Sequence, residues 1–200
     1  MDIISRGILG IEIAEALVKN GKQVILIHKN PYLLNKILDE DMAHYINDTV
    51  SKDLLLKLNE ETLEINKGGR LVITNKNKYE VDGTIVALGV EPNTDLVKGN
   101  NFIGETKAIN TDQYMRTYMK EVYAVGDVAQ SRNIITGKPD WQPFAPVAGK
   151  MRFTAGNHIG GINYKFSGLV GTAITKYKDY LIAKTGLTEN EAIKNGFKAI

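Results

Sequence analysis

Apolar and polar positions along this chain fall into blocks whose period changes, and the changes mark out its elements. Residues 3–29 read as a strand, a glycine turn, a helix and a second strand. Leu9, Ile13, Ala16 and Leu17 recur at helical spacing, Glu15 and Lys19 pair on another face, and Asn20-Gly21 stops the helix ahead of the apolar run Val24, Ile25, Leu26, Ile27. Residues 33–53 are mainly helical in pattern, carrying Ile37, Met42 and Ile46, and residues 53–58 return as a strand. Short strands at 63–66, 71–74 and 79–81, separated by turn signals at Gly68-Gly69 and at 75–78, predict an antiparallel insert, followed by a buried strand over 84–87. The continuous run Val122, Tyr123, Ala124, Val125 suits a strand buried on both faces, which Gly126 and Asp127 end. Residues 147–159 read as a helix closed by Gly160-Gly161. Thr188 and Glu191 have capping-box spacing for a helix reaching Asn195-Gly196, and residues 197–200 begin a strand. The fold class expected is α/β, with half a Rossmann unit at the front.

Composition narrows the function. A chain of 200 residues, 43% hydrophobic and 24% charged, has material for a core and is not disordered. Its formal charge of +2 is too small to argue for nucleic acid or an anionic membrane surface as partner. No apolar run approaches the roughly 20 residues that cross a bilayer, and Met1-Asp2-Ile3-Ile4 opens no secretory signal, so a cytoplasmic location is expected. The chain contains no cysteine, which excludes disulfides, thiolate metal sites and thiol redox chemistry by its own residues. His28, His44 and His158 show no metal-ligand spacing.

The candidate chemistry lies at turns. A glycine turn between strand and helix brings backbone close to a pyrophosphate, and the helix N-terminus offers N–H groups to it. Here Gly7 and Gly10 hold two places of a GxGxxG pattern whose first place is Ser5. The end of the second strand selects the nucleotide: an acid binds the ribose hydroxyls of NAD, while a base accommodates the 2′-phosphate of NADP. His28, Lys29 and Asn30 stand there, compatible with an NADP preference or with a solvated loop, which leaves the nucleotide open. Asp127, at a strand's carboxyl end, can accept hydrogen bonds from sugar or ribitol hydroxyls, or can cap a helix starting at Val128.

The string Tyr114-Met115-Arg116-Thr117 followed by Val122-Tyr123-Ala124-Val125-Gly126-Asp127-Val128-Ala129-Gln130 resembles the second flavin-contacting segment of the pyridine nucleotide-disulfide oxidoreductases, most of all their NADH oxidase and coenzyme A-disulfide reductase branch. The resemblance implies that Asp127, of the Gly126-Asp127 pair, binds the FAD ribitol. Ile11-Glu12-Ile13-Ala14-Glu15-Ala16-Leu17 is similar to the family's NAD(P)-domain helix, which gives Glu12 a role near the nicotinamide. Ile8 stands where an aromatic gate is common. Gly89-Val90-Glu91-Pro92-Asn93-Thr94 resembles the family's GxxPNT turn, which ends the NAD(P) domain and puts Gly89 beside the cofactor. The segment 135–148 is similar to the loop that closes over the flavin, with backbone N–H groups near Phe144 and Ala145 against the isoalloxazine. Residues 166–173 and 185–192 resemble the opening of an interface domain.

The resemblance thus implies an NAD(P)-binding Rossmann domain over 1–95, the C-terminal part of an FAD-binding domain over 96–161, and the start of an α+β interface domain over 162–200. It covers the whole chain but only the middle of a family member, without the first FAD-binding βαβ unit, the redox cysteine, or most of the interface domain. The function implied is hydride transfer from NAD(P)H to FAD and on to oxygen or a disulfide such as coenzyme A disulfide, by a homodimer in the fuller protein. The cofactors do the hard chemistry there and the chain positions them. No catalytic acid, base or nucleophile stands out. The competing expectation is a non-catalytic nucleotide-binding or dimerising module.

Overall fold

An apolar strand, a glycine and a run of good helix formers build the front of the chain. A computed structural model describes residues 2–5, 7–98 and 101–198. Strand β1 (Asp2–Ser5) leads through Gly7 into α1 (Ile8–Lys19), whose end is closed by the Asn20 N–H donating to the Ala16 and Leu17 carbonyls, with Gly21 at φ +69 turning the chain away. After β2 (Ile25–Ile27), α2 (Glu40–Val50) and β3 (Leu55–Lys57), an antiparallel meander of β4 (Thr62–Asn66), β5 (Leu71–Thr74) and β6 (Lys78–Glu80) precedes β7 (Thr84–Ala87). Strands β3, β2, β1 and β7 form one parallel sheet in that order, as an α/β Rossmann-type unit requires.

The chain divides into two compact units. The first comprises Met1–Gly89 and Thr172–Ile200, the second Val90–Gly171. The three segments expected from the sequence therefore do not map one to one onto them. Residues 90–95 lie with the second unit, and the hairpin β10 (Ala173–Tyr177) and β11 (Tyr180–Lys184) and helix α4 (Glu189–Lys194) lie with the first.

The core of the first unit joins Ile11, Ala14, Val24, Leu26, Leu33, Leu34, Ile46 and Val50 to Tyr177 and Ile182 of the hairpin. Leu26 is fully buried, so truncating it to alanine costs about 2–5 kcal/mol. Two expectations are corrected here. The most deeply buried positions of α1 are Gly10, Ile11, Ala14 and Glu15; of the expected stripe, Ile13 and Leu17 are half-buried and pack on this core, while Leu9 is 56% exposed and Ala16 is exposed. Residues 33–38 are not helical either. Leu34 sits at φ +55, outside the right-handed helix, and buried Asn47 pins the loop by accepting from the Leu33 N–H at 3.0 Å, so α2 begins only at Glu40.

The second unit has little regular structure. Its core of Phe102, Ile109, Met115, Ala124, Ala129, Met151, Ala155, Phe166 and Leu169 packs around α3 (Ala145–Ile159). The expected strand at Val122, Tyr123, Ala124 and Val125 is only an extended run: Tyr123 makes one bridge to Arg116, Ala124 alone is buried, and no ladder partner flanks it among the described residues. No helix starts at Val128, because Gly126–Val128 is a single 3₁₀ turn. Strands β8 (Ser131–Arg132) and β9 (Pro139–Asp140) are a minimal pair. The capping box at α4 is present in both halves, Glu191 N–H to Thr188 Oγ1 (3.2 Å) and Thr188 N–H to Glu191 Oε2 (2.9 Å). Of the strand expected over 197–200, residues 197 and 198 are irregular and the last two lie outside the described residues. No helix among the described residues is long and apolar enough to cross a membrane.

Candidate functional site

All four strands of the parallel sheet run the same way, so the turns after them gather along one edge. Strand β1 is flanked by β2 on one side and β7 on the other. The chain leaves β1 towards β2 and β3, which makes the β1/β7 junction the point where strand order reverses and the place where open α/β sheets bind ligands. Ser5 pairs in register with Ala87, so Gly7 and Gly89 each lie two residues beyond the same rung, on opposite sides of that crevice. Gly89 has φ +107, a conformation that L side chains avoid. Gly7 is different: its φ of −176° is open to any residue, and an added Cβ would meet no protein atom within 4 Å. The chain's own packing therefore does not demand glycine at position 7.

Helix α1 begins at this point without a side-chain cap and with no acidic residue in its first turn. Such a start carries the positive end of the helix dipole, where an anion is stabilised. Gly10, the other glycine of the pattern, differs from Gly7 in its surroundings. It is buried in the first turn of α1, so what it offers a ligand is backbone and not an exposed face.

At the end of β2 the expected residues separate. His28 is 1% exposed, so its ring is buried away from the surface, and its backbone N–H donates to the Lys57 carbonyl. Lys29 is exposed and pairs with Glu61 across 3.9 Å. Further along α1, Glu12 is exposed, and its Oε1 accepts from Thr175 Oγ1 of the hairpin at 2.7 Å. One turn on, buried Glu15 accepts from the Lys178 N–H (2.7 Å) and pairs with Lys19 (2.6 Å), and the Lys19 hydrogen bond holds its carboxyl below the usual carboxylate range. Sequence reasoning missed Glu61 and Thr175, whose partners lie far away in the chain. Asn75, which brackets Glu61, carried only a turn signal.

In the second unit Asp127 is exposed on the 3₁₀ turn, and no described residue donates to its carboxylate. The turn is held by Trp141, whose indole N–H donates to the Asp127 carbonyl at 2.8 Å, a contact that a lone tryptophan in a polar loop did not announce. The N-terminus of α3 lies beside it, since a Cβ on Gly126 would come within 3.8 Å of the Ala148 methyl. Phe144 is the N-cap residue, and its N–H already donates to the Gln142 carbonyl (2.9 Å), so it is not the open donor expected. Ala145, in the first helical position, has no acceptor within the helix. The Asp127 carboxylate is thus an exposed acceptor here, and the Ala145 and Val147 N–H groups, either side of Pro146, are donors without an acceptor inside the helix. Among the described residues no cluster of side chains could hold a metal ion.

Residues 3–150 match the family model described as pyridine nucleotide-disulphide oxidoreductase. The chain is 43% identical over 198 residues to an NAD(P)H sulfur oxidoreductase (CoA-dependent) of Pyrococcus furiosus, covering 98% of the chain and 45% of that protein. Among solved structures, a NAD-dependent persulfide reductase from A. fulgidus matches with TM-score 0.92 and 32% identity, over 98% of the chain and 37% of that one. A water-forming NADH oxidase from Lactobacillus brevis bound to NADH matches with TM-score 0.91 and 30% identity, over 98% and 44%. The chain spans about half the length of the curated relatives it matches.

Proposed function

Since the chain belongs to the pyridine nucleotide-disulphide oxidoreductase family, we propose that it is part of a flavin-dependent oxidoreductase that takes hydride from NAD(P)H to FAD and passes electrons on to oxygen, a disulfide such as coenzyme A disulfide, or a related sulfur substrate. The observation that carries this reading is the open face of Gly7 beside the uncapped start of α1, at the reversal point of the sheet. When bound, the nicotinamide would supply a hydride and the flavin would accept it and relay the electrons.

The chain's own residues would hold and orient. Gly7 lets the backbone approach the pyrophosphate, and the first-turn N–H groups of α1 donate to it. Gly89 borders the same crevice, Lys29 meets the adenosine end, and Glu12 orients the nicotinamide end with one oxygen fixed by Thr175. Asp127 accepts from ribitol hydroxyls, and the Ala145 N–H donates to the flavin ring. A sulfur acceptor would need a thiolate supplied from outside these 200 residues, which contain no cysteine.

The fuller protein is a homodimer in this reading, supported by the hairpin's outward apolar residues Ile174 (64% exposed) and Leu181 (70%), and a cytoplasmic setting belongs to the same reading. The test is a fluorescence titration of the 200-residue chain with NADH and NADPH, followed by turnover assays on the full-length form. Saturable binding of at least one nucleotide is the expected result. Absence of binding by folded protein overturns the assignment.

A further inference from the structure

The loops after β2 and β3 are stitched together along the carboxyl edge. The Asn59 N–H donates to the Asn30 carbonyl and the Glu60 N–H to the His28 carbonyl, both at 3.1 Å. Glu61 follows and is fixed by a reciprocal pair with Asn75: its N–H donates to Asn75 Oδ1, and its carbonyl accepts from the Asn75 N–H, each at 3.0 Å. Next to it the buried Glu60 carboxylate accepts from Thr74 (2.6 Å), Tyr79 (2.9 Å) and Asn77 (3.3 Å). Burial pushes the Glu60 carboxyl up, but those donors outweigh it and hold it below the ordinary range, so the support is ionised and ordered. On this base the half-exposed Glu61 side chain meets Lys29 across 3.9 Å.

We propose that Glu61 is a nucleotide-specificity residue, tuning the choice between NADH and NADPH through its opposition to Lys29. This rests on the reading above, in which the pyrophosphate lies at Gly7 and the adenosine ribose therefore falls at the β2 loop. His28, Lys29 and Asn30 include no acid, so the β2 loop itself offers no carboxylate to the ribose hydroxyls. Glu61 brings one from the neighbouring loop. A 2′-phosphate would draw Lys29 away from Glu61 and at the same time meet the Glu61 charge. One base and one acid at the rim oppose each other, and the acid restrains a preference for NADPH that Lys29 alone would create.

The experiment titrates the 200-residue chain and its Glu61→Gln, Glu61→Lys and Lys29→Gln variants with NADH and with NADPH, reading nucleotide fluorescence at low and high salt. Both positions are exposed and Glu61 is held through its backbone, and circular dichroism checks that each variant folds. Glu61→Gln should raise the NADPH-to-NADH affinity ratio about three- to tenfold, the effect of one exposed charge on a phosphate, and high salt should shrink the change. Glu61→Lys should raise the ratio further, and Lys29→Gln should lower it. If the parent binds nucleotide but neither Glu61 variant moves the ratio beyond twofold, or the ratio falls, the proposal is overturned while the site reading stands. If the parent binds neither nucleotide, both are overturned.

Discussion

Gly7→Asp separates a glycine kept for the fold from one kept for a ligand. At position 7 the backbone is extended and an added Cβ meets no protein atom within 4 Å, so an aspartate fits without strain. It would also cap a helix that has no side-chain cap and no first-turn acid. Aspartate exceeds glycine as a cap by a few tenths of a kcal/mol, and a carboxylate at the positive end of the dipole adds about 0.3–1 kcal/mol. Stability to urea should therefore hold or rise by about 0.5–1 kcal/mol. Binding should move the other way. A carboxylate roughly 5 Å from a pyrophosphate charge, at an effective dielectric of about 20–40, repels it by about 2–3 kcal/mol, which weakens NAD(P)H about 25- to 150-fold. The assays are urea unfolding followed by circular dichroism and titration by nucleotide fluorescence. A stable variant that binds like the parent would refute the placement of the pyrophosphate. A variant that loses several kcal/mol of stability would refute the claim that the fold does not need this glycine.

Three further outcomes are expected. The 200 residues alone should lose FAD on gel filtration, because Asp127 and Ala145 supply hydrogen bonds of about 1 kcal/mol net, or up to about 3 to a charged group, against an association cost of about 4 kcal/mol or more; flavin retained through the column would contradict this. Glu60→Gln should cost about 2 kcal/mol at pH 7. Because the folded Glu60 carboxyl is held below its unfolded value, that stability is present above about pH 4.3 and lost as pH falls through the folded value, so parent and variant should converge in acid unfolding curves; a constant gap would refute the assignment. Thr188→Ala should cost about 1 kcal/mol and speed amide exchange at Glu191, and Thr188→Ser should restore protection; equal exchange in all three would show that the capping box does not hold α4.

Local signals were legible and long-range ones were not. The helix stop at Asn20-Gly21, the Glu15–Lys19 pair and the Thr188–Glu191 box each span at most four residues and appear as read. The stripe of α1 was legible only in part: Ile13 and Leu17 pack on the core as read, but Leu9, Ile11, Ile13, Ala14 and Leu17 offer two apolar faces, and the sheet buries Ile11 and Ala14 deepest. Val122, Tyr123, Ala124 and Val125 show the limit of the β pattern. Apolar continuity predicts an extended chain, but a strand also needs neighbours for its N–H and C=O groups, and none of the described residues supplies a ladder. At the carboxyl edge of the parallel sheet Gly7 and Lys29 were legible as residue types just beyond β1 and β2. The burial of His28, and the approach of Glu61 and Thr175, depend on loops and a hairpin remote in the sequence.

Amide chemical shifts of the isotope-labelled 200-residue chain, followed during titration with NADH and with NADPH, test the nucleotide site most directly. Saturable shifts centred on Gly7, the first turn of α1, Lys29 and Gly89, with the β5–β6 turn and α4 unmoved, are the predicted result. Shifts confined to Gly126–Val128 and the start of α3, or none at millimolar nucleotide, would contradict it.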